Sequence, residues 1–108
     1  MVDDEAVVRM TTSDMLQDLG YATTEVATAR EAMDLLERGA AFDLVVTDHM
    51  MPGMSGGDLA VAIRTMRPGL PVLLVTGYAE AEGIAADIPR LAKPFRQEEL
   101  ARALAEIV

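Results

Sequence analysis

The sequence has no cysteine, no tryptophan, one histidine, two tyrosines and two phenylalanines. Without cysteine, the chain can form no disulfide, no thiolate nucleophile and no cysteine-ligated zinc site. With so few aromatic residues the core must be largely aliphatic, and eight methionines add flexible apolar side chains. No apolar run approaches the roughly 20 residues that span a bilayer, and no signal segment opens the chain, so we expect a cytoplasmic protein without a membrane partner.

Basic residues are also scarce, with 9 Lys and Arg against 18 Asp and Glu, which gives a net charge of −9. This acidic excess is unfavourable for binding nucleic acid, whose phosphates attract clustered Lys and Arg. It suits a chain that binds a cation or a basic partner. Because 108 residues with an apolar fraction of 51% can enclose one hydrophobic core, we expect residues 1–108 to form a single domain.

Apolar periodicity predicts strands that alternate with helices along the chain. Two predicted strands, Leu44–Thr47 and Pro71–Thr76, are almost wholly apolar, which is typical of a parallel sheet covered on both faces. The other predicted strands are the stub Met1–Val2, Tyr21–Val26 and Arg90–Lys93. The predicted helices run from Ala6 to Leu19, from the Thr28 and Glu31 capping box to Gly39, from Ser55 or Gly56 to Pro68, briefly within Glu80–Asp87, and from Gln97 to Val108.

The same periodicity predicts which helical side chains face the core. They are Val8, Thr12, Met15 and Leu19 in the first helix, Ala29, Ala32, Met33 and Leu36 in the second, Leu59, Ile63 and Met66 in the third, and Leu100, Leu104 and Ile107 in the last. Between strand and third helix, we interpret Met50, Met51 and Met54 as loop packing. We interpret His49 as a loop residue without a catalytic role, because neighbours on a strand point to opposite sides.

Residues with distinctive chemistry stand where the predicted strands end. Asp3 and Asp4 follow the first strand, Asp48 the third, Thr76 the fourth and Lys93 the fifth. The carboxyl ends of parallel strands meet at one edge of a sheet, so these residues should converge. Clustered carboxylates repel one another unless a cation lies among them, and all-oxygen ligands suit Mg²⁺. With a hydroxyl and an ammonium nearby, this predicts a Mg²⁺-dependent site where one carboxylate takes up a phosphoryl group.

The motifs that carry these residues, taken in order, are Val2-Asp3-Asp4-Glu5, Thr47-Asp48-His49-Met50-Met51-Pro52-Gly53-Met54-Ser55-Gly56, Thr76-Gly77 and Lys93-Pro94-Phe95. Together they resemble the receiver domain of two-component response regulators, over nearly the whole chain. The resemblance implies a flavodoxin-like (βα)5 doubly wound parallel sheet with strand order 2-1-3-4-5. In this chain the first strand would be truncated and the fourth helix short.

The resemblance also implies a role for each site residue. Asp48 would be the phosphoacceptor, Asp4 would bind Mg²⁺ directly, and Asp3 would bind it directly or through water. The backbone carbonyl of Met50 would be a further ligand beside Asp48. Lys93 would pair with Asp48 and then with the phosphoryl oxygens, and the Thr76 hydroxyl would move to the phosphoryl group. The Lys93-Pro94 bond would be cis, as it usually is in this family.

The partners implied are a histidine kinase or a histidine phosphotransfer protein, and a homodimer is a further alternative. At 108 residues, we expect the chain to have no room for an output domain. The segment from Gly77 to Glu80 resembles receivers at the ends of hybrid histidine kinases, and a stand-alone single-domain regulator is equally open.

Four features depart from the family pattern. Arg90 stands where receivers usually have an aromatic switch residue, and the segment between Thr76 and Lys93 is short, so we expect an altered output surface. Met50 and Tyr78 offer no charge to orient an attacking water, which predicts slow self-dephosphorylation. The two-residue first strand leaves its neighbours unpaired unless a longer natural chain or another molecule completes it.

Two alternative functions are open. A haloacid dehalogenase-type phosphatase also uses an Asp nucleophile with Mg²⁺, but it has a second Asp two residues later, where this chain has Met50. A phosphorylation-independent pseudo-receiver would act only as a protein-interaction module. The presence of Asp3, Asp4, Asp48, Thr76 and Lys93 argues against the second rival.

Overall fold

A parallel sheet forms the centre of the computed structural model, which describes residues 1–77 and 88–107. Within these residues three strands pair in the order β1 (Val45–Asp48), β2 (Val72–Thr76) and β3 (Arg90–Ala92). The register aligns Asp48 with Val75, and Thr76 with Ala92. Every residue of β1 and β2 is buried, which confirms the prediction of a sheet covered on both faces.

Helices flank the sheet in the described part of the chain. They are α1 (Ala6–Asp18), α2 (Ala29–Glu37), α3 (Gly56–Met66) and α4 (Gln97–Ile107). The short helix expected within Glu80–Asp87, and Tyr78, lie outside the described residues. The predicted cap of α2 is present, since Thr28 Oγ1 accepts the Glu31 N–H at 3.1 Å. Ser55, one of the two predicted starts of the third helix, caps α3 by accepting the Asp58 N–H on its Oγ at 3.1 Å.

The core has two halves, one on each face of the sheet, because successive strand residues point to opposite sides. Val45 and Leu74 pack with the apolar side chains of α2 and α3, whereas Val46 and Leu73 pack with those of α1 and α4. Helices on both faces are the mark of a doubly wound fold, so this part of the predicted architecture is confirmed.

The helical faces differ from prediction in two helices. In α3, Leu59 and Ile63 are fully buried, but Met66 is 37% exposed and Ala60 is buried instead. Met66 is the last residue of α3, where no further turn covers it. In α1 the buried residues are Thr12, Ser13 and Leu16, while the predicted Val8 and Met15 are half-buried. Of the two hydroxyl residues in this inner stripe, Thr12 was predicted, whereas Ser13 was missed because apolar periodicity does not mark a serine.

The predicted strand Tyr21–Val26 is wrong as a full strand. Only Val26 joins the sheet, through a single parallel bridge to Val2, and Val2 forms a second parallel bridge to Thr47. Val2 thus lies between the second segment and β1, as the order 2-1-3-4-5 requires. Since each of these pairings is one residue long, the complete order stays a prediction.

A cavity of about 450 Å³ lies beside Val2, and its lining includes Thr24, Leu44 and Val46. The Asp48 N–H donates to the Val2 carbonyl at 2.9 Å, whereas the Val45 N–H donates to Pro71 on the β2 side. Backbone N–H groups alternate in direction along a strand, so the Val46 N–H points toward Val2 and this cavity. A longer first strand would pair with this Val46 N–H.

Adding four apolar β-branched residues before Met1 should therefore stabilise the fold. The added strand would pair the Val46 N–H and fill part of the cavity, and a buried amide that gains a partner is worth about 1–3 kcal/mol. Urea unfolding monitored by circular dichroism measures the change. A four-residue Gly-Ser extension is the control, and equal stabilisation by both extensions would contradict the expectation.

Candidate functional site

Three carboxylates meet at the carboxyl edge of the sheet. Asp3, Asp4 and Asp48 each offer an oxygen atom within 4.8 Å of the others. The parallel pairing of Val2 with Thr47 causes this, since it sets the residues after Val2 beside the end of β1. Asp3 and Asp48 are buried and Asp4 is exposed, so the cluster opens to solvent on one side only. The predicted convergence of the acidic residues is present in the structure.

Asp3 is held from three directions. Its Oδ1 accepts the Glu5 N–H at 2.9 Å, and its backbone carbonyl accepts a hydrogen bond from Arg9 Nη1 at 2.8 Å. Its backbone N–H donates to Val26 at 3.2 Å. The residue is only 1% exposed, and its Oδ2 is buried without a hydrogen-bond partner among the described residues. A carboxylate with one oxygen anchored and the other unpaired is ready to bind a cation.

Electrostatics at Asp3 point the same way. Burial raises the pKa of this carboxyl above its ordinary value, and the charges of Asp48 and Asp4 act in the same direction. The Glu5 N–H and Lys93 oppose the rise in pKa. The protein thus keeps a carboxylate where its charged form is disfavoured, and a hard divalent cation with oxygen ligands would relieve that cost. The donor set fits Mg²⁺.

Lys93 provides the positive charge of the site. It follows β3, its backbone N–H donates to the Thr76 carbonyl at 2.7 Å, and its Nζ lies 2.7 Å from Asp48 Oδ1. That oxygen is buried, so the ion pair with Lys93 offsets its negative charge where little water reaches it. The predicted pairing of Lys93 with Asp48 is present, and the Lys93-Pro94 bond is cis.

Thr76 ends β2 and is buried, 3% exposed, beside the strand that ends at Asp48. Its place at the strand end is as predicted, and its movement toward a phosphoryl group stays a prediction. The Met cluster differs from prediction: Met51 packs against the core, but Met50 is 59% and Met54 40% exposed. These two residues lie in the loop between β1 and α3 with exposed side chains, so the expectation of loop packing is wrong for them.

Two contributors escaped the sequence reasoning. Arg9 fixes the Asp3 carbonyl and also lies 3.5 Å from Glu25. His49, expected to be a plain loop residue, accepts the Gly57 N–H with its Nδ1 at 3.2 Å. Arg9 could have been noticed in the sequence as a single basic residue early in the first helix, just after three acidic residues. No signal in the sequence pairs His49 with Gly57.

Comparison with known proteins agrees with this geometry. Residues 1–105 match the model of the response regulator receiver domain family. Over all of its length the chain is 36% identical to the sensor kinase CckA of Brucella abortus, of which it spans 12%. Over 78% of its length it is 41% identical to the chemotaxis protein CheY-3 of Vibrio cholerae, of which it spans 66%.

A solved structure gives the same result for the fold. The crystal structure of a response regulator receiver protein from Sinorhizobium medicae has a TM-score of 0.87 and 31% sequence identity, and the match covers 97% of this chain and 88% of that one. The chain therefore belongs to the response regulator receiver domain family and has its flavodoxin-like fold. It is a phosphoacceptor signalling domain.

None of the helices in residues 1–77 and 88–107 is long and apolar enough to cross a membrane.

The buried charge of Asp3 predicts the effect of neutralising it. Asp3→Asn keeps the acceptor for the Glu5 N–H and removes repulsion with Asp48, so without divalent cations its Tm should exceed that of the wild type. In saturating Mg²⁺ the order should reverse, because a ligand at 100 times its Kd adds about 2.7 kcal/mol to a protein that binds it. Thermal unfolding in EDTA and in Mg²⁺ measures both.

Asp14→Asn, which removes an exposed acid on α1, is the matched control. It should leave the Mg²⁺ response unchanged. A lower Tm for Asp3→Asn than for the wild type in EDTA would contradict the expectation, because it would show that the carboxylate stabilises the fold by itself.

Proposed function

We propose that Asp48 accepts a phosphoryl group from the phosphohistidine of a sensor kinase or a histidine phosphotransfer protein. The observation that carries the proposal is the buried Asp48 carboxylate at the sheet edge, with the Lys93 ammonium 2.7 Å from its Oδ1 and two further carboxylates beside it. In this proposal residues 1–108 act as a single receiver domain in the cytoplasm, without binding nucleic acid.

For phosphoryl transfer, the protein needs mainly to position the reacting groups and to compensate their charge. An Asp48 oxygen attacks phosphorus, an O–P bond forms as the P–N bond breaks, and the electron pair of that bond returns to the imidazole of the donor. Lys93 compensates the negative charge that gathers on the phosphoryl oxygens, and the Thr76 hydroxyl donates a hydrogen bond to them. Burial of Asp48 excludes bulk water on the protein side and strengthens both interactions.

We propose Mg²⁺ as the cofactor, held by Asp3, Asp4 and Asp48 and by the backbone carbonyl of Met50. When bound, the ion supplies the positive charge that offsets repulsion between the carboxylates and an incoming phosphoryl group. The unpaired buried oxygen of Asp3 is the observation that supports this assignment.

The rival functions are less well supported by the site. A haloacid dehalogenase-type phosphatase needs an acid/base two residues after its nucleophile, and here that position is Met50, whose side chain is 59% exposed. A pseudo-receiver would not need the Lys93 and Asp48 pair. We therefore propose a regulatory domain that catalyses only its own phosphorylation and dephosphorylation, the latter slowly because Met50 cannot orient a water by charge.

In this proposal the domain passes its signal to a partner through a different surface from the one that other receivers use. Arg90, which replaces the usual aromatic residue, is half-buried at the start of β3, and its Nε donates to the Ile88 carbonyl at 3.4 Å. A charged side chain bonded to the backbone cannot turn inward as an apolar ring does. A homodimer, and a place in a hybrid kinase or a stand-alone regulator, are left as alternatives.

Asp48→Asn tests the proposal directly. We expect the wild type to gain the mass of one phosphoryl group on incubation with acetyl phosphate and Mg²⁺, and Asp48→Asn to gain none, because an amide oxygen is a poor nucleophile. Intact-protein mass spectrometry measures the result. Asp14→Asn should be labelled like the wild type, and labelling of Asp48→Asn would refute the assignment.

Lys93, the only lysine of the chain, allows a second test. Lys93→Met keeps an unbranched side chain and removes the charge, so the phosphorylation rate should fall by about a hundredfold, as when one stabilising donor is lost. Lys93→Arg, which keeps the charge, should retain more activity. Equal rates for the two variants would mean that charge at this position is unimportant.

A further inference from the structure

The start of α3 is tied to the end of β1 by a single residue. The first four backbone N–H groups of a helix have no partner within it. In α3, Ser55 supplies the acceptors for the third and fourth of these groups. His49 supplies the other two: its carbonyl accepts the Gly56 N–H at 2.8 Å, and its Nδ1 accepts the Gly57 N–H at 3.2 Å. With Nδ1 as acceptor, the neutral ring carries its proton on Nε2.

Gly57 makes room for this ring. A Cβ at position 57 would lie 3.2 Å from Cε1 and 3.4 Å from Nδ1 of His49, closer than the usual separation of nonbonded carbon atoms. Glycine weakens a helix relative to alanine, so its presence in the first turn of α3 needs a reason. The close approach of the imidazole supplies that reason, and the two residues form one contact.

The backbone of His49 is anchored on the opposite side as well. Its N–H donates to the Val75 carbonyl at 3.0 Å, which holds it against β2 next to Asp48. The turn that leaves His49 and returns at Gly56 is therefore closed at its base by hydrogen bonds to the backbone and the ring of one residue. Met50 lies inside this turn, one residue from that base.

We propose that His49 is a positioning residue that fixes the turn carrying the Met50 carbonyl, and thereby tunes Mg²⁺ affinity and phosphoryl uptake at Asp48. A backbone carbonyl has no rotamer of its own, so its direction depends on how firmly the ends of its turn are held. Groups that orient the ligands of a metal are typically worth about 10–100-fold in affinity. The inference rests on the proposed function of Asp48 and deepens it.

The test compares an apolar with a polar replacement. His49→Leu keeps a side chain of moderate size but accepts no hydrogen bond, whereas His49→Asn can place its Oδ1 where Nδ1 lies. Isothermal titration with Mg²⁺ should give a Kd about tenfold weaker for His49→Leu and within about twofold of the wild type for His49→Asn. The rates of phosphorylation by acetyl phosphate in subsaturating Mg²⁺ should follow the same order.

Gly57→Ala is the second variant, and it keeps the inference testable should His49→Leu fold poorly. It crowds the ring while improving helix propensity, so weaker Mg²⁺ binding by a chain with an intact α3 cannot come from a weakened helix. We expect a Kd several-fold weaker than that of the wild type.

Three outcomes decide the matter. Weakening in His49→Leu and Gly57→Ala with recovery in His49→Asn supports the inference. An unchanged Kd in Gly57→Ala, and in His49→Leu where it folds, would overturn it and reduce His49 to a structural cap, while the role of Asp48 would stand. If the wild type itself neither binds Mg²⁺ nor becomes phosphorylated, the proposed function fails and the inference with it.

Discussion

Repulsion among carboxylates at one edge of the sheet is the constraint on which the rest of this structure depends. Parallel pairing brings Asp3 and Asp4 beside Asp48, and burial of two of the three removes the water that would screen them. Lys93 supplies one positive charge at 2.7 Å against three carboxylates. The site is thus short of positive charge, and this makes it a place where a divalent cation and a phosphoryl group can be held together.

The backbone around the site is arranged to hold that unfavourable cluster in place. Asp3 is anchored by the Glu5 N–H and by Arg9, and Asp48 by the ladder of β1. Each anchor is a hydrogen bond to backbone, which costs less side-chain entropy to maintain than a pair of long charged side chains. Exposed ion pairs such as Arg30 with Asp34 contribute little by comparison.

The turn from Asp48 to Gly57 connects the site directly to the start of α3. A Cβ at position 56 would overlap the carbonyl oxygen of Asp48, so only glycine allows the helix to start so close to the acceptor. In the same turn Met51 packs against the core, whereas the Met50 and Met54 side chains are exposed. Local backbone chemistry and the position of the reactive group are therefore linked at this one turn.

By itself, the sequence determined the elements whose causes are local. The cap of α2 is read from Thr28 and Glu31, the buried stripe of α3 from Leu59 and Ile63, and the presence of a carboxylate site from acids placed at strand ends. The two helix signals survive in isolation because hydrogen bonds and periodicity within a helix involve residues close in the chain. The carboxylate site was predicted by another route, since the carboxyl ends of parallel strands meet at one edge of a sheet.

Only the tertiary structure decided which partners meet. It reduced Tyr21–Val26 to a bridge at Val26, shifted the inner face of α1 toward Ser13 and Leu16, and joined the ring of His49 to Gly57. Strand pairing and ring placement depend on contacts between distant segments and on the space that a missing Cβ leaves. A pattern along one chain predicts that strands pair and that their ends converge, but it does not show where a pairing stops or which helix a ring meets, because these arise only when the segments are packed together.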